Sequence, residues 1–378
     1  YIKRYYSSLT NNSLSKESSW NLLYPPEVKQ IVEKIQSYCQ INNHTAYIKN
    51  FFIIRNGLIL IKDDIFILKL NQNVKKLNNE FWIKINGQYF KLNKEEKQRL
   101  KKLYKSKSIK PYGYDQSGFV GYLILLNKKE FASKKKTNTR YQEKYPNLIN
   151  YLKIYEKELK QILVNANENP NDYFFPRRGQ FITVPEDLKN QKLLDLEPLY
   201  DKGHKIFFRF ISKTNLFGYS NKQYYATSDT YFFWPLKYEN KMNYLFLLAY
   251  LNSKLVLFLF KAKNIFVKRS KTRLEDDLMV PNLDLFKSDK QKLLINLIIS
   301  LTKYLTEIND LNEIKLDKYK QEIQKLELSK DKKYIKVLDA INQNNTKEIQ
   351  KVIDLLFFDL FNLEEKELDY LINTYYNF

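Results

Sequence analysis

Glycine is scarce in this chain, with eight in 378 residues. So few leave no Gly-rich cradle for a nucleotide phosphate, and Gly113, Gly118 and Gly121 do not lead from a strand into a helix as a dinucleotide fingerprint requires. A single cysteine, Cys39, excludes an internal disulfide framework and a cysteine-rich zinc site, and the cytoplasm is the expected compartment. His44 and His204 lack cysteine or carboxylate neighbours at metal-ligand spacing, so both are expected to be ordinary loop or surface residues. Long apolar runs are missing as well. Residues 244–260 (YLFLLAYLNSKLVLFLF) come nearest, but a span needs about 20 apolar residues and Asn252, Ser253 and Lys254 interrupt this one. A buried helix is expected there, and no membrane segment. The acidic pairs and triplets, Asp63-Asp64 and Glu275-Asp276-Asp277, sit among lysines and read as solvated turns, not as a nuclease metal site.

Acidic residues are in the minority throughout, 42 against 64 Lys and Arg, which leaves a formal charge of +22. Such a chain repels itself unless a polyanion neutralises it, which puts nucleic acid or an anionic surface first among partners. The abundance of Lys and Asn has the mark of an AT-rich genome, so part of the charge is compositional. An aromatic share of 15% and a hydrophobic share of 44% supply a core that a disordered basic tail lacks.

The pattern along the chain predicts an α+β fold, a mixed strand-rich core followed by a helical C-terminal region. Residues 1–50 read as a helical lead-in, with Pro25 and Pro26 opening a helix that carries Val28, Ile31, Val32 and Ile35 on one face. Residues 51–284 form the α+β part. At 51–70 two β-rich runs flank Asn56-Gly57, a pair suited to a tight turn of positive φ, and a hairpin or strand–turn–strand is expected. Further strands are expected at 81–92, 121–126, 205–211 and 224–234. Residues 285–378 are helical: Leu294, Leu297, Ile298, Leu301, Leu305 and Ile308 share one face, as do Ile349, Val352, Ile353, Leu356 and Leu360. The charged stretch 315–336 reads as an exposed helical hairpin. The chain starts at Tyr1 and reads as an interior or C-terminal piece of something longer.

With catalytic motifs absent, the chemistry left is recognition. Donors concentrate in the segments 105–114 (KSKSIKPYGY), 133–140 (SKKKTNTR), 176–180 (PRRGQ) and 268–273 (KRSKTR). Lysines suit phosphates as mobile point charges, whereas Arg and Gln can also read base edges with paired hydrogen bonds. Arg177, Arg178, Gln180, Lys110 and Tyr112 are therefore the base-reading candidates. Lys105, Lys107, Lys213, Lys222, Lys268, Arg269, Lys271 and Arg273 are the phosphate candidates. Against these stands the plain alternative of solvated loops and a fold-stabilising turn.

Several of these segments resemble the specificity region of TaqI-like and type IIG adenine-specific DNA methyltransferases. Residues 54–67 (IRNGLILIKDDIFI) are similar to that family's N-G-x-x-T-L-x-D-x-x-F signature through Asn56, Gly57, Asp63 or Asp64, and Phe66, with Leu60-Ile61 in place of Thr-Leu. In the family's order follow 108–115 (SIKPYGYD), 145–159 (YPNLINYLKIYEKEL), 176–180, 247–255 (LLAYLNSKL), 280–283 (VPNL) and 353–368 (IDLLFFDLFNLEEKEL). The family's cofactor-binding Phe-x-Gly loop and its Asn-Pro-Pro-Tyr motif do not occur. The nearest string, 169–172 (NPND), lacks the aromatic residue that stacks on a flipped adenine and reads as a turn.

The resemblance implies sequence-specific recognition of duplex DNA by a piece that holds no cofactor itself, beside a missing upstream methyltransferase domain. The complete enzyme would use S-adenosylmethionine to methylate adenine, with or without a nuclease. Two other readings use the same composition: an RNA- or single-strand-binding protein with aromatic stacking platforms, and a helical adaptor for another protein.

Overall fold

Asparagine supplies the left-handed backbone that scarce glycine cannot. The computed structural model describes residues 26–132, 142–186, 190–212, 214–236, 242–263, 265, 269–308, 317, 320–321 and 336–375. Among these, the non-glycine residues of positive φ are Asn42, Asn43, Asn71, Asn78, Asn79, Asn86, Asn167, Asn344, Asn362 and Tyr112. A short amide side chain can hydrogen-bond locally and tolerates this region where others do not. Asn78-Asn79 (φ 48° and 63°) and Asn86-Gly87 (φ 47° and 85°) are consecutive pairs of this kind. Each closes a two-residue turn whose hand matches the strand twist. They join Val74–Leu77, Glu80–Ile85 and Gln88–Lys91 into an antiparallel meander. The span 81–92, expected as one strand, is therefore the second hairpin of that meander.

The chain divides into two units. One comprises Ile53–Phe210 and Leu216–Asn240. Besides the meander it holds two four-stranded sheets. The first runs in the order Tyr225–Ala226, Leu100–Tyr104, Phe119–Ile124, Ile67–Leu68, and the second Phe217–Ser220, Lys205–Arg209, Thr230–Pro235, Phe52–Asn56. In the first sheet pairing is antiparallel except where Tyr225 and Ala226 run parallel to Leu103 and Tyr104, and in the second Lys205–Arg209 pairs antiparallel with both Phe217–Ser220 and Thr230–Pro235. The expected strand at 224–234 is thus two strands of different sheets, separated at Thr227–Asp229. Helices Pro146–Ile154 and Glu156–Asn165 bury Leu148, Leu152, Leu159 and Leu163 against the same core. Each fully buried Leu or Phe contributes about 1.5–3 kcal/mol. Phe207, Tyr224, Phe232, Trp234 and Tyr200 form a continuous series of ring contacts in it, and most aromatic side chains among the described residues are buried.

The other unit takes in the described residues of Tyr1–Phe52, Ile211–Asn215 and Lys241–Phe378. Helix Pro26–Ser37 buries Val28, Ile31, Val32 and Ile35 as its spacing predicts. Helix Asp289–Glu307 packs against Tyr244–Asn252 and Thr346–Leu360, and Leu294, Leu297, Ile298, Leu301 and Leu305 are buried. The single helix expected at 244–260 is two, Tyr244–Asn252 and Lys254–Ala262, bent by 62°. The break has local causes. Ser253 is extended and its hydroxyl accepts from the Val256 N–H, while the buried Asp354 carboxylate accepts from the Lys254 N–H at 2.8 Å. No single helix among the described residues is long and apolar enough to cross a membrane. The expected helical hairpin at 315–336 lies, apart from 317, 320, 321 and 336, outside the described residues.

Candidate nucleic-acid interface

Three chain segments converge around Gly57. Asn56 and Gly57 do not form the expected turn of positive φ: neither has positive φ, and strand Phe52–Asn56 ends in a bend at Gly57 that leads to isolated bridges at Leu58 and Ile59. Gly57 donates to the Thr230 carbonyl at 2.8 Å and Leu58 to the Ala226 carbonyl at 2.9 Å, while the Asn56 amide reaches the Ser228 carbonyl at 2.9 Å. On the other side Ile59 donates to the Arg178 carbonyl at 3.1 Å, and Arg177 donates to the Ile59 carbonyl at 2.8 Å. A Cβ on Gly57 would lie 2.3 Å from the Ala226 oxygen, so glycine is here for close approach. Gly179, at φ +94°, packs on the same strand, where its Cβ would come within 2.9 Å of the Gly57 oxygen and Leu58 Cα.

The rest of the 54–67 motif is explained by the same unit. Asp63 opens the short helix Asp63–Phe66 and pairs with the Lys105 ammonium at 3.0 Å, and Phe66 is fully buried. Lys105 also donates to the Thr227 hydroxyl at 2.9 Å; that hydroxyl donates to Asp229 at 3.0 Å, and Asp229 in turn accepts from the Ser106 N–H at 2.9 Å. The loop Thr227–Asp229 thus ties the Asn56-Gly57 strand to the segment that begins at Lys105. Sequence reasoning missed this loop; its signal was the Thr-Ser-Asp run interrupting the apolar stretch 224–234.

The base-reading candidates separate sharply by environment. The Arg177 guanidinium forms a two-point pair with Glu168, Nε at 2.9 Å and Nη2 at 2.8 Å, and this pairing holds the Glu168 carboxyl below the usual range. Arg178 is the outward member of the pair, its side chain 72% exposed with only a 3.8 Å approach to Glu168. Gln180 is buried, its amide donating to the Leu126 carbonyl at 2.6 Å. It fastens the turn to the segment that follows strand Phe119–Ile124 and leaves little of itself to solvent. Tyr112 is likewise buried, at φ +65°. Lys110 is exposed and pairs with Asp115 at 2.9 Å, which with Ser117 holds that carboxyl at about 2.

Of the phosphate candidates, Lys105 is held in the network above, while Lys107 is exposed with no carboxylate partner among the described residues. Lys222 is exposed at a turn that the fully buried Lys205 holds from beneath, its ammonium donating to the carbonyls of Gly203 at 2.7 Å and Lys222 at 2.8 Å. Arg269 is fully buried, with its guanidinium on the Thr214 carbonyl at 2.6 Å and over the Phe260 ring, so it serves the packing of its own unit. Lys271 and Arg273 lie exposed on helix Lys271–Asp277 of that unit, Arg273 paired with Asp277 and bonded to the Lys263 carbonyl. Lys213, Lys268 and the segment 133–140 lie outside the described residues. The string 169–172 is a turn, as expected, a 3₁₀ helix capped by Asn169.

Burial lowers the Lys205 pKa to about 7, against the opposing pull of Asp201. Between about 7 and the ordinary lysine value near 10.5 the unfolded chain therefore binds more protons than the folded one, so stability rises with pH across that window. We expect the gain in melting temperature from pH about 7 to about 10 to be smaller in Lys205→Met than in the unaltered chain, measured by thermal denaturation. Equal gains in both would show that Lys205 is not the group responsible.

No curated protein matches the chain. Among solved structures it is similar to the type IIL restriction–modification enzyme MmeI in complex with DNA, with a TM-score of 0.42 and 11% identity over 88% of this chain and 36% of that one. It is also similar to the type IIG restriction endonuclease BpuSI, with a TM-score of 0.39 and 12% identity over 90% of this chain and 33% of that one. The chain thus spans about a third of the length of the solved structures it matches. A family model, the TaqI-like C-terminal specificity domain, matches residues 72–277, more than half of the chain and most of the unit that carries the Gly57 junction. The chain belongs to the TaqI-like C-terminal specificity domain family.

Proposed function

We propose that this chain selects the DNA sequence on which a restriction–modification enzyme acts, by binding duplex DNA without performing chemistry on it. The observation that carries the reading is the turn 176–180. Its backbone is bonded to Ile59, Arg177 is locked to Glu168, and Arg178 projects from it into solvent. A planar guanidinium on a fixed turn is suited to the paired acceptors of guanine in the major groove. Exposed Lys107, Lys110 and Lys222 of the same unit supply charge for phosphates. Membership of a specificity-domain family supports the same reading. In the full enzyme we place S-adenosylmethionine and adenine N6 methylation in a methyltransferase domain outside this chain, with a cytoplasmic site of action.

The purified chain is expected to bind duplex DNA with log affinity falling linearly against log salt, by about 0.9 for each phosphate neutralised. Incubation with S-adenosylmethionine and duplex DNA is expected to give no methyl transfer. Salt-insensitive binding, or methylated adenine produced by this chain alone, would overturn the proposal.

A further inference from the structure

Among the described residues most aromatic side chains are core, but the meander Val74–Leu77, Glu80–Ile85, Gln88–Lys91 displays Phe90 on one face and Trp82 and Tyr89 together on the other. Val74 and Ile83 point into the core and Phe81 packs edge-on against Tyr122. By the period of two, the opposite face carries Lys75, Leu77, Glu80, Trp82, Lys84, Tyr89 and Lys91. Cross-strand register places Lys75, Trp82 and Lys91 in one row and Lys84 beside Tyr89 in the next. Trp82 and Tyr89 are partly exposed, Lys84 and Lys91 exposed. Among the described residues no ring stacks on Trp82, and no carboxylate pairs with Lys75 or Lys84. The Lys75 ammonium sits 4.0 Å from the Tyr89 ring centroid, and the one carboxylate on the face, Glu80, is shared by Lys91 and Lys97.

We infer that this face is a stacking platform for unpaired bases of a DNA strand, a contact separate from the Arg178 turn. Aromatic rings lying on a sheet and flanked by lysines meet the two needs of a single strand: π faces for the bases, cations for the phosphates between them. A paired duplex keeps its base faces covered and cannot use the rings in this way. A protein partner is disfavoured by the lysines, which are depleted from protein interfaces. The Lys75 ammonium occupies the Tyr89 ring as a base would, and gives way to one at little cost because it is a mobile side chain.

The test uses the full chain, a fluorescein-labelled oligothymidylate and a labelled mixed-sequence duplex. Trp82→Ala and Tyr89→Ala are each expected to weaken oligothymidylate binding on the order of tenfold, with duplex binding changed less than about twofold. Trp82→Phe, which keeps a ring, is expected to recover most of the affinity. It also keeps the proposal testable if Trp82→Ala does not fold, as does the surface change Lys84→Glu, expected to weaken oligothymidylate binding. No oligothymidylate binding by the unaltered chain, equal losses on single strand and duplex, or Trp82→Phe binding as weakly as Trp82→Ala would each overturn the inference. Because the readout is the single-strand arm, its failure leaves duplex recognition through Arg178 standing.

Discussion

Gly57→Ala is expected to destabilise the protein by about 3 kcal/mol or more, at the top of the range for overpacking, because the atoms it strikes are backbone. The added methyl would stand 2.3 Å from the Ala226 carbonyl oxygen and 2.7 Å from that of Thr227. A flexible side chain could swing away; these carbonyls are held, that of Ala226 by the Leu58 N–H and that of Thr227 by the Thr230 N–H. Moving them opens the junction on which the Arg177-Arg178 turn rests, since Ile59 donates to Arg178 and accepts from Arg177 in the next step of the same strand. The melting temperature should fall by roughly 6–12 °C for a unit of this size, and sequence-specific DNA binding should weaken with it. Gly113→Ala is the control. No atom lies within 4 Å of its would-be Cβ, and its φ is outside the left-handed region, so its stability should stay within about 0.5 kcal/mol of the parent. Equal melting temperatures for the two variants would show that the close approach at Gly57 is not what holds the junction.

The same glycine shows how far the sequence could be read. Asn56-Gly57 and Asn86-Gly87 are identical dipeptides, both inside β-rich text, yet the second is a tight turn and the first a crossing point of two chain segments. Local propensity favours a turn at both; what differs at Gly57 is a partner about 170 residues away, which no local window contains. The helical stripes were legible because burial follows the spacing of apolar residues. The break at Ser253 was less so, since it depends on a cap and on Asp354 from another helix. Candidate residues divided in the same way. Arg178 and Lys110 are exposed, as their composition suggests, Arg178 bridged to Ile59 and Lys110 at the end of strand Ile109–Lys110. Gln180, Tyr112 and Arg269 are inside. A polar or basic residue in a loop string is normally exposed, and what takes Gln180 and Arg269 inward is a carbonyl or ring for the side chain to bond, supplied by Leu126, Thr214 and Phe260 from elsewhere in the fold, while Tyr112 is tied by its backbone N–H to the Phe217 carbonyl.

That division assigns different tasks to three neighbours and can be tested on them. Arg178→Ala removes an exposed guanidinium whose only approach to a carboxylate among the described residues is 3.8 Å, while its backbone bonds to Ile59 remain available. Melting temperature should therefore hold. If the guanidinium reads a base pair, the ratio of cognate to scrambled affinity should fall on the order of tenfold or more, the size of one good paired contact at about 1–3 kcal/mol. Arg177→Ala strands Glu168 without its two-point partner, and Gln180→Ala leaves the Leu126 carbonyl and the Lys128 N–H unsatisfied behind the turn. For both, melting temperature and discrimination should fall together, since the turn itself loosens. Binding of each variant to cognate and scrambled duplexes across a salt series, read beside its melting curve, separates the cases. If Arg178→Ala weakens both duplexes alike and lowers the salt slope by about one, the residue clamps a phosphate and the reader lies elsewhere. A fall in its melting temperature as large as that of Arg177→Ala would instead make Arg178 part of the turn's own support.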